Sequence, residues 1–449
     1  MFRRKTHDFG AQGKTFLPAL ALTLLITSLA GSSCRADDLL SVYQLALQSA
    51  PELRAAGFKL EVGEAQKGQA FGQLLPQISG VANWSENSLN LVATSATQNY
   101  TGTRYFVSLT QSLMDFAKFW EWRRTHSLER QLDAERTNAQ NTLIYEVTRR
   151  YFAILDAQDQ LRLTNHERQM YEQLSEQINV LFSKQLAKIT DVYEVESRLD
   201  QIKADEIEAE SQLVTARQSL SEQTNAPPLE LAPLRKQVVF QALDGKLEDW
   251  LEVARSENPM VTAQHLAVES AENEVAVKKS RYLPVVDLQL YFYDTDTGYQ
   301  NVRTGHYQNQ VAALNVNVPI FNGGSTTAAV SEAQSKAALA REEREAKTRA
   351  LIKETSEAFT LSNANAKRIE ATEKALSSAQ KSQQAMLTSF NYGVKSIREV
   401  LEAVQHEHKT ERELSRAKYN YIVNRMRFQK AIGAISEDNL LEINGWLQE

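Results

Sequence analysis

The sequence predicts a mixed fold: long α-helical rods and short alternating strands suited to a membrane β-barrel, both supplied by two copies of one unit. Three observations predict it. Glycine (17) and proline (9) are scarce in 449 residues, and Ala, Glu, Gln, Leu, Ser, Lys and Arg fill long stretches, which is the bias of long helices. Ala50-Pro51 followed by Leu75-Pro76 recurs as Asn258-Pro259 followed by Leu283-Pro284, an offset of 208 that persists where Ile189-Thr190-Asp191-Val192 meets Ile397-Arg398-Glu399-Val400. A self-similarity held at both ends of so long a unit marks a repeat. Between the helical tracts, short segments switch to strict apolar/polar alternation, the period of a strand.

The chain opens with Arg3, Arg4, Lys5 and Lys14, an apolar run from Phe16 to Ala30, and small residues ending Cys34-Arg35-Ala36. This is the layout of a secretory signal peptide, assigned to residues 1–36. Its removal takes five basic groups and one acidic group and lowers the net charge from −6 to −10, a balance that argues against nucleic-acid partners. Cys34, the only cysteine, lies on the signal side; Gly31-Ser32-Ser33 precede it without the leucine that a lipidation site carries three residues earlier. No later window offers the roughly 20 apolar residues of a spanning helix.

The first repeat covers 37–223. A helix is expected over 40–75, with strands over 77–113, where Ile78, Gly80, Ala82 and Trp84 oppose Gln77, Ser79 and Asn83 in direction. A polar loop from Thr94 to Thr103 leads to a return strand through Tyr105, Val107 and Leu109. Asp115 is placed to cap the next helix, and a helical hairpin follows over 115–223, its first arm reaching about 100 Å at ~1.5 Å per residue. A proline-bearing linker occupies 224–246. The second repeat, 247–433, repeats the order with a helix over 247–283, strands over 285–320 (Val286, Leu288, Leu290 and Phe292 against Asp287, Gln289, Tyr291 and Tyr293), Asn322 as cap, and a hairpin over 323–433. Residues 434–449 form a tail matching the linker.

Four strands with one apolar face must find partners, because open edges near a membrane leave backbone groups unpaired. Alternation over about ten residues suits a transmembrane barrel, and equally a covered sandwich sheet in water. Two copies would give eight strands and a filled interior, three would give twelve and a lumen, and larger assemblies satisfy the same argument.

Val42-Tyr43-Gln44 with Pro51-Glu52-Leu53-Arg54, Leu75-Pro76-Gln77, Leu109-Thr110-Gln111-Ser112, Ile189-Thr190-Asp191-Val192 and Tyr419-Asn420-Tyr421, in that order and with the repeat, resemble the TolC family of outer-membrane efflux proteins over nearly all of the chain after the leader. The resemblance implies a mixed membrane β-barrel plus long α-helical barrel: a homotrimer with four strands per protomer in a single twelve-stranded barrel in outer-membrane lipid, and long periplasmic helical hairpins that form a tunnel. It implies a passive exit duct of tripartite efflux pumps or type I secretion. The implied partners are a periplasmic adaptor (membrane fusion) protein and an inner-membrane pump or ABC transporter. A periplasmic coiled-coil scaffold without a pore is the alternative.

By the same resemblance, Glu399 and Glu402 ring the periplasmic entrance, where repeated carboxylates around a narrow axis attract cations; the other reading of this i, i+3 pair is a solvated acidic helix face. Thr190, Asp191, Phe390, Lys395 and Arg398 fall at the latch between neighbouring hairpins, with Lys395 expected near Asp191. Lys184, Gln185, Leu186, Gly393 and Val394 fall at the tips that an adaptor approaches. The sequence departs from the family pattern in carrying Glu for Asp in the rings, Phe390 for a tyrosine, Gln185 for a glycine and Arg398 for an apolar residue. Trp84, Tyr105, Phe106, Trp120 and Trp122 are candidates for an interfacial aromatic girdle. No catalytic, cofactor or metal site is expected: the seven histidines are scattered, His406 and His408 face different ways on one helix, and no phosphate loop or nucleophile motif is present.

Overall fold

The computed structural model describes residues 37–448 apart from 92, 94, 228, 229, 236, 297 and 299–304. The signal-peptide assignment and Cys34 lie outside the described residues.

Asp38 starts the fold by accepting the Ser41 N–H at 2.8 Å, capping α1 (Leu39–Ser49). The helix expected over 40–75 is two helices. Pro51 has no N–H to donate and pushes Ala50 to ψ 112°, so α1 ends there and α2 (Pro51–Gly72) begins with proline at its first position. The same chemistry divides the expected 247–283 helix into α5 (Leu247–Glu257) and α6 (Pro259–Ser280), with Asn258 capping α6 through the Met260 N–H.

The strands β1 (Gln77–Leu91), β2 (Ala96–Met114), β3 (Val285–Asp296) and β4 (Tyr307–Asn317) form one antiparallel sheet in chain order. The loop expected over 94–103 is mostly strand, because Ala96 through Thr103 continue the ladder, from Leu91↔Ala96 to Trp84↔Thr103. Ser95 takes the left-handed conformation that the turn needs, φ 49°. At the other end β4 stops at Asn317 rather than 320, one residue short of the Val318-Pro319 pair whose proline has no N–H for a ladder. The register puts Ile78 beside Leu109, Leu109 beside Leu290, Val107 beside Phe292 and Leu288 beside Leu314, so one apolar face crosses all four strands. Ile78 is 72%, Trp84 69% and Leu314 62% exposed. Phe106 lies on the opposite face, stacked on Tyr291 and tilted against Tyr293, with the Arg104 guanidinium 4.6 Å from the Tyr293 ring centre. It therefore does not share the face of Trp84 and Tyr105.

Asp115 caps α3 (Phe116–Ser183) by accepting the Ala117 and Lys118 N–H groups at 3.0 and 3.2 Å. Asn322 does not cap α7 (Ser325–Asn391): Gly324, at φ 82°, holds that position, and the Asn322 carbonyl instead accepts the Ser325 N–H. Helices α4 (Ile189–Thr224) and α8 (Ile397–Ala431) complete the two hairpins. The two 68- and 67-residue helices α3 and α7 run the full length of the helical part. Towards the sheet, α2 and α6 pack on them in the order α2-α3-α6-α7; towards the turns the order is α4-α3-α8-α7.

The changeover is filled by the largest apolar cluster, which joins Tyr43, Tyr151, Phe152, Tyr421 and Ile422. The linker and the tail, which holds α9 (Glu437–Asn444), meet there through Arg235 N–H to the Trp446 carbonyl at 2.8 Å and Gln448 N–H to the Pro233 carbonyl at 2.8 Å. Tyr151 donates its hydroxyl towards the Asp37 and Ala232 carbonyls at 3.1 and 3.0 Å, and burial raises its pKa. A second cluster, containing Tyr171, Ile178, Val195, Ile397 and Leu401, holds the turn end together. No helix among the described residues is long and apolar enough to cross a membrane.

Candidate functional site

The two hairpins turn by the same device. The Leu186 N–H bonds the Leu181 carbonyl at 2.9 Å and the Gln185 N–H the Phe182 carbonyl at 2.8 Å; Val394 to Ser389 and Gly393 to Phe390 repeat both bonds at 2.9 and 2.8 Å. This is a helix-ending motif that requires a left-handed residue, and Gln185 (φ 62°) and Gly393 (φ 72°) supply it. Gly393 adopts it without cost; Gln185 carries a Cβ into a region that disfavours one. The residue after each turn projects outward: Leu186 is 73% and Val394 74% exposed, and Tyr392 beside it is 81% exposed. Lys184 ends α3 and is exposed.

Ser396 opens α8 and exchanges bonds with Glu399, whose carboxylate accepts the Ser396 N–H at 3.0 Å and its hydroxyl at 3.0 Å. Lys395, one helical turn before Glu399, donates to that same carboxylate at 2.6 Å. The ammonium first, then the serine N–H and hydroxyl, hold the Glu399 pKa down at about 2. Within the chain, Lys395 thus pairs with Glu399 and not with Asp191, whose carboxylate accepts the Lys188 N–H at 3.1 Å and caps α4. The reason is local: an i, i+4 partner lies within one turn, whereas Asp191 belongs to another hairpin.

Arg398 makes the link between the hairpins. Its Nε lies 3.2 Å from Glu194 Oε1 and its Nη2 3.4 Å from Oε2. Glu194 was invisible to sequence reasoning, since nothing in spacing joins it to a residue 204 positions later. Two further ties were equally hidden: Gln177 donates to Asn391 at 2.9 Å, and the Tyr171 hydroxyl to the Leu401 carbonyl at 3.2 Å. Phe390 packs half-buried against the turn-end core. Thr190 and Glu402 are exposed. Among the described residues no group of three or more His, Cys, Asp or Glu side chains is placed to hold a metal.

Helices of this length under a sheet with one exposed apolar face are the build of outer-membrane proteins that reach into the periplasm. The chain belongs to the outer membrane efflux protein family, which matches residues 42–226 and 250–434. It is 29% identical over 450 residues to outer membrane protein TolC of Escherichia coli, covering 95% of this chain and 88% of that protein. It is 26% identical to the proteases secretion protein PrtF of Dickeya chrysanthemi, covering 96% and 95%. The fold is that of the Campylobacter jejuni CmeC outer membrane channel, with a TM-score of 0.78 at 16% identity over 92% of this chain and 90% of that one. The protein is a passive outer-membrane exit duct of the kind that serves efflux and type I secretion, not an enzyme.

Proposed function

We propose that three copies of this chain, each a duplicated unit, close into one twelve-stranded barrel over a helical tunnel. The tunnel conducts small compounds or polypeptides delivered by a periplasmic adaptor and an inner-membrane pump or ABC transporter. The observation that carries this reading is the sheet. Its apolar face is uncovered on all four strands, and β1 and β4 are open edges. Water tolerates neither at this size; lipid and a neighbouring copy remove both, and three copies leave a lumen.

The turn end is the periplasmic entrance in this reading. Glu402 and Glu399 form its acidic rings, Arg398 with Glu194 joins the two hairpins of each copy, and Thr190, Asp191 and Phe390 line the seam between copies. Lys395 acts as counter-ion to Glu399, which leaves the exposed Glu402 as the stronger cation-attracting ring. The apolar tips Leu186 and Val394, with Lys184, Gln185 and Gly393, meet the adaptor. The family resemblance, the outward projection of both tip residues and the absence of any covering segment at the tips among the described residues support these roles.

Planar-bilayer conductance of the purified protein, with particle mass from light scattering in detergent, tests the reading. Trimers with a small, cation-selective conductance are expected; monomers that do not conduct refute it and favour the scaffold without a pore.

A further inference from the structure

Between the turns and the changeover, α8 presents two opposite faces. Glu411, Leu414, Ser415 and Lys418 share a cleft with Pro233, Leu234 and Arg235 of the linker. Lys409, Glu413 and Arg416, at the 4-3 spacing of one helix face, lie on the other side with Arg412 beside them. Together with Arg368 of α7 they line a separate cavity of about 470 Å³. Four cations meet one carboxylate there, and the amides of Gln160 and Asn365 add neutral donors. Most of that cationic capacity is unspent. Arg412 is taken up by Glu167 behind it, but Arg416 stands 3.7 Å from Asp156 and Arg368 3.9 Å from Glu413, both beyond hydrogen-bond reach. Lys409 is exposed and has no ion pair or hydrogen bond among the described residues.

The duplication supplies an internal comparison. The offset of 208 holds from hairpin to hairpin: α3 and α7 end at Ser183 and Asn391, and α4 and α8 begin at Ile189 and Ile397. The positions matching Arg368, Lys409, Arg412 and Arg416 are Gln160, Gln201, Ala204 and Glu208. The first hairpin folds with none of the four cations, so the packing of the unit does not require them. Two observations fix the side on which the cavity opens. The linker covers the opposite face of α8, and inside a duct it would fill the tunnel, so its side is the outer one. Glu402, assigned above to the entrance, stands seven residues before Lys409 on the same face of α8, about 10 Å nearer the turns at ~1.5 Å per residue.

We propose that this cavity is a site on the tunnel wall for multivalent oxyanions, solutes that carry two or more carboxylate or phosphate groups. Arg368, Lys409 and Arg416 are the binding cations, and Glu167 holds Arg412 in place behind them. Guanidinium forks suit either oxyanion because both present paired oxygens at matching spacing, and a cleft lined by one sign of charge concentrates the opposite ion. The placement on the wall rests on the duct proposed above; the cavity itself is built within one chain. Three copies set three such sites in a ring, so an anionic group that has passed the acidic entrance meets counter-charges one and a half to two helical turns further on.

Calorimetric titration of the purified detergent-solubilised protein with citrate and with pyrophosphate tests the site. Arg368→Gln with Lys409→Gln removes two of the binding cations, and Lys409→Gln alone is the second variant should the pair perturb folding. Lys347→Gln with Lys381→Gln removes the same charge from exposed positions of α7 at least ~20 Å from Arg368 at ~1.5 Å per residue. The unaltered protein and this control are expected to bind at least one of the two anions, and the Arg368–Lys409 variant to bind it about tenfold more weakly, since charge-assisted partners are lost. In planar bilayers under a KCl gradient, the same variant should shift the reversal potential towards potassium selectivity. Unaltered protein that binds neither anion, or binding that survives the loss of both cations, overturns the site and leaves a conducting trimer intact as a duct. Conducting trimers with cation-dependent binding but no shift in reversal potential overturn the placement on the tunnel wall. Non-conducting monomers overturn the duct and that placement together, while cation-dependent binding by them still upholds the site.

Discussion

Between the two apolar clusters that hold the changeover and the turn end, the α3–α8 contact is polar, and one ion pair dominates it. Glu167 has only 7% of its side chain exposed and accepts Arg412, which is 28% exposed. Removing Arg412 strands a buried carboxylate, which costs about 3–5 kcal/mol when a buried pair is broken from one side. The partial exposure of Arg412 places this site at the lower figure, about 3 kcal/mol, or roughly a 150-fold change in a local opening equilibrium at ~1.4 kcal/mol per tenfold. Arg412→Met keeps most of the aliphatic stem, so the charge is what is lost. Hydrogen exchange of the amides from Thr164 to Tyr171 reads local opening without requiring the whole assembly to unfold reversibly.

The expected result is exchange faster by about two orders of magnitude at pH 7 in Arg412→Met. Adding Glu167→Gln to Arg412→Met should recover most of the protection, because no buried charge then remains. Acceleration below about fivefold at pH 7, the scale of an exposed ion pair of ~1 kcal/mol, would refute the burial argument.

Three further outcomes are expected. Gln185→Gly, at φ 62°, should slow exchange of the amides from Phe182 to Leu186 by about fivefold, the left-handed strain of ~1–2 kcal/mol being partly offset by the entropy of the unfolded glycine chain. Gly433→Ala should destabilise the end of α8 by more than ~1 kcal/mol in thermal unfolding, because at φ 75° a methyl would stand 2.6 Å from the Glu257 carbonyl oxygen. The Glu399 pKa lies near 2, below its ordinary 4.5, so its hold on the start of α8 is complete above pH 4.5 and lost as pH falls towards 2. A carboxyl resonance for Glu399 that titrates at 4.5 would deny the Lys395 and Ser396 contacts.

Helix, strand and hairpin order were legible because each rests on a period or a proline that the chain displays openly. What the sequence hid was governed by geometry that adds a residue's neighbours. Pro51 marks a break, but only its role as first residue of α2 shows that it starts a helix. Residues 96–102 are polar and read as a loop, yet they pair with β1 and extend the hairpin past the last pair of β2 with β3, Thr103↔Asp296. Asn322 has the chemistry of a cap and loses the place to Gly324, whose backbone alone suits φ 82°. At the turn end, the resemblance pointed Lys395 to Asp191, and Glu399 in the first turn of α8, four residues on, holds it within the chain.

The aromatic residues that carry part of the family resemblance and the residues at the turn end do different physical work. Val42, Tyr43, Tyr419 and Tyr421 are buried in the cluster where α2 gives way to α4 and α6 to α8. That crossing is the hardest packing problem in the molecule, because two helices must end and two begin against α3 and α7 without a void, and large aromatic side chains of fixed shape solve it in few ways. The tips face no such constraint. Gln185, Phe390 and Arg398, where the sequence departs from the family pattern, are half-buried or exposed, and their partners are side chains that a single substitution can replace, as Glu194 shows for Arg398. Part of the family resemblance is therefore written in the crossing, while the charge of the turn end is set by contacts such as Lys395–Glu399 and Arg398–Glu194.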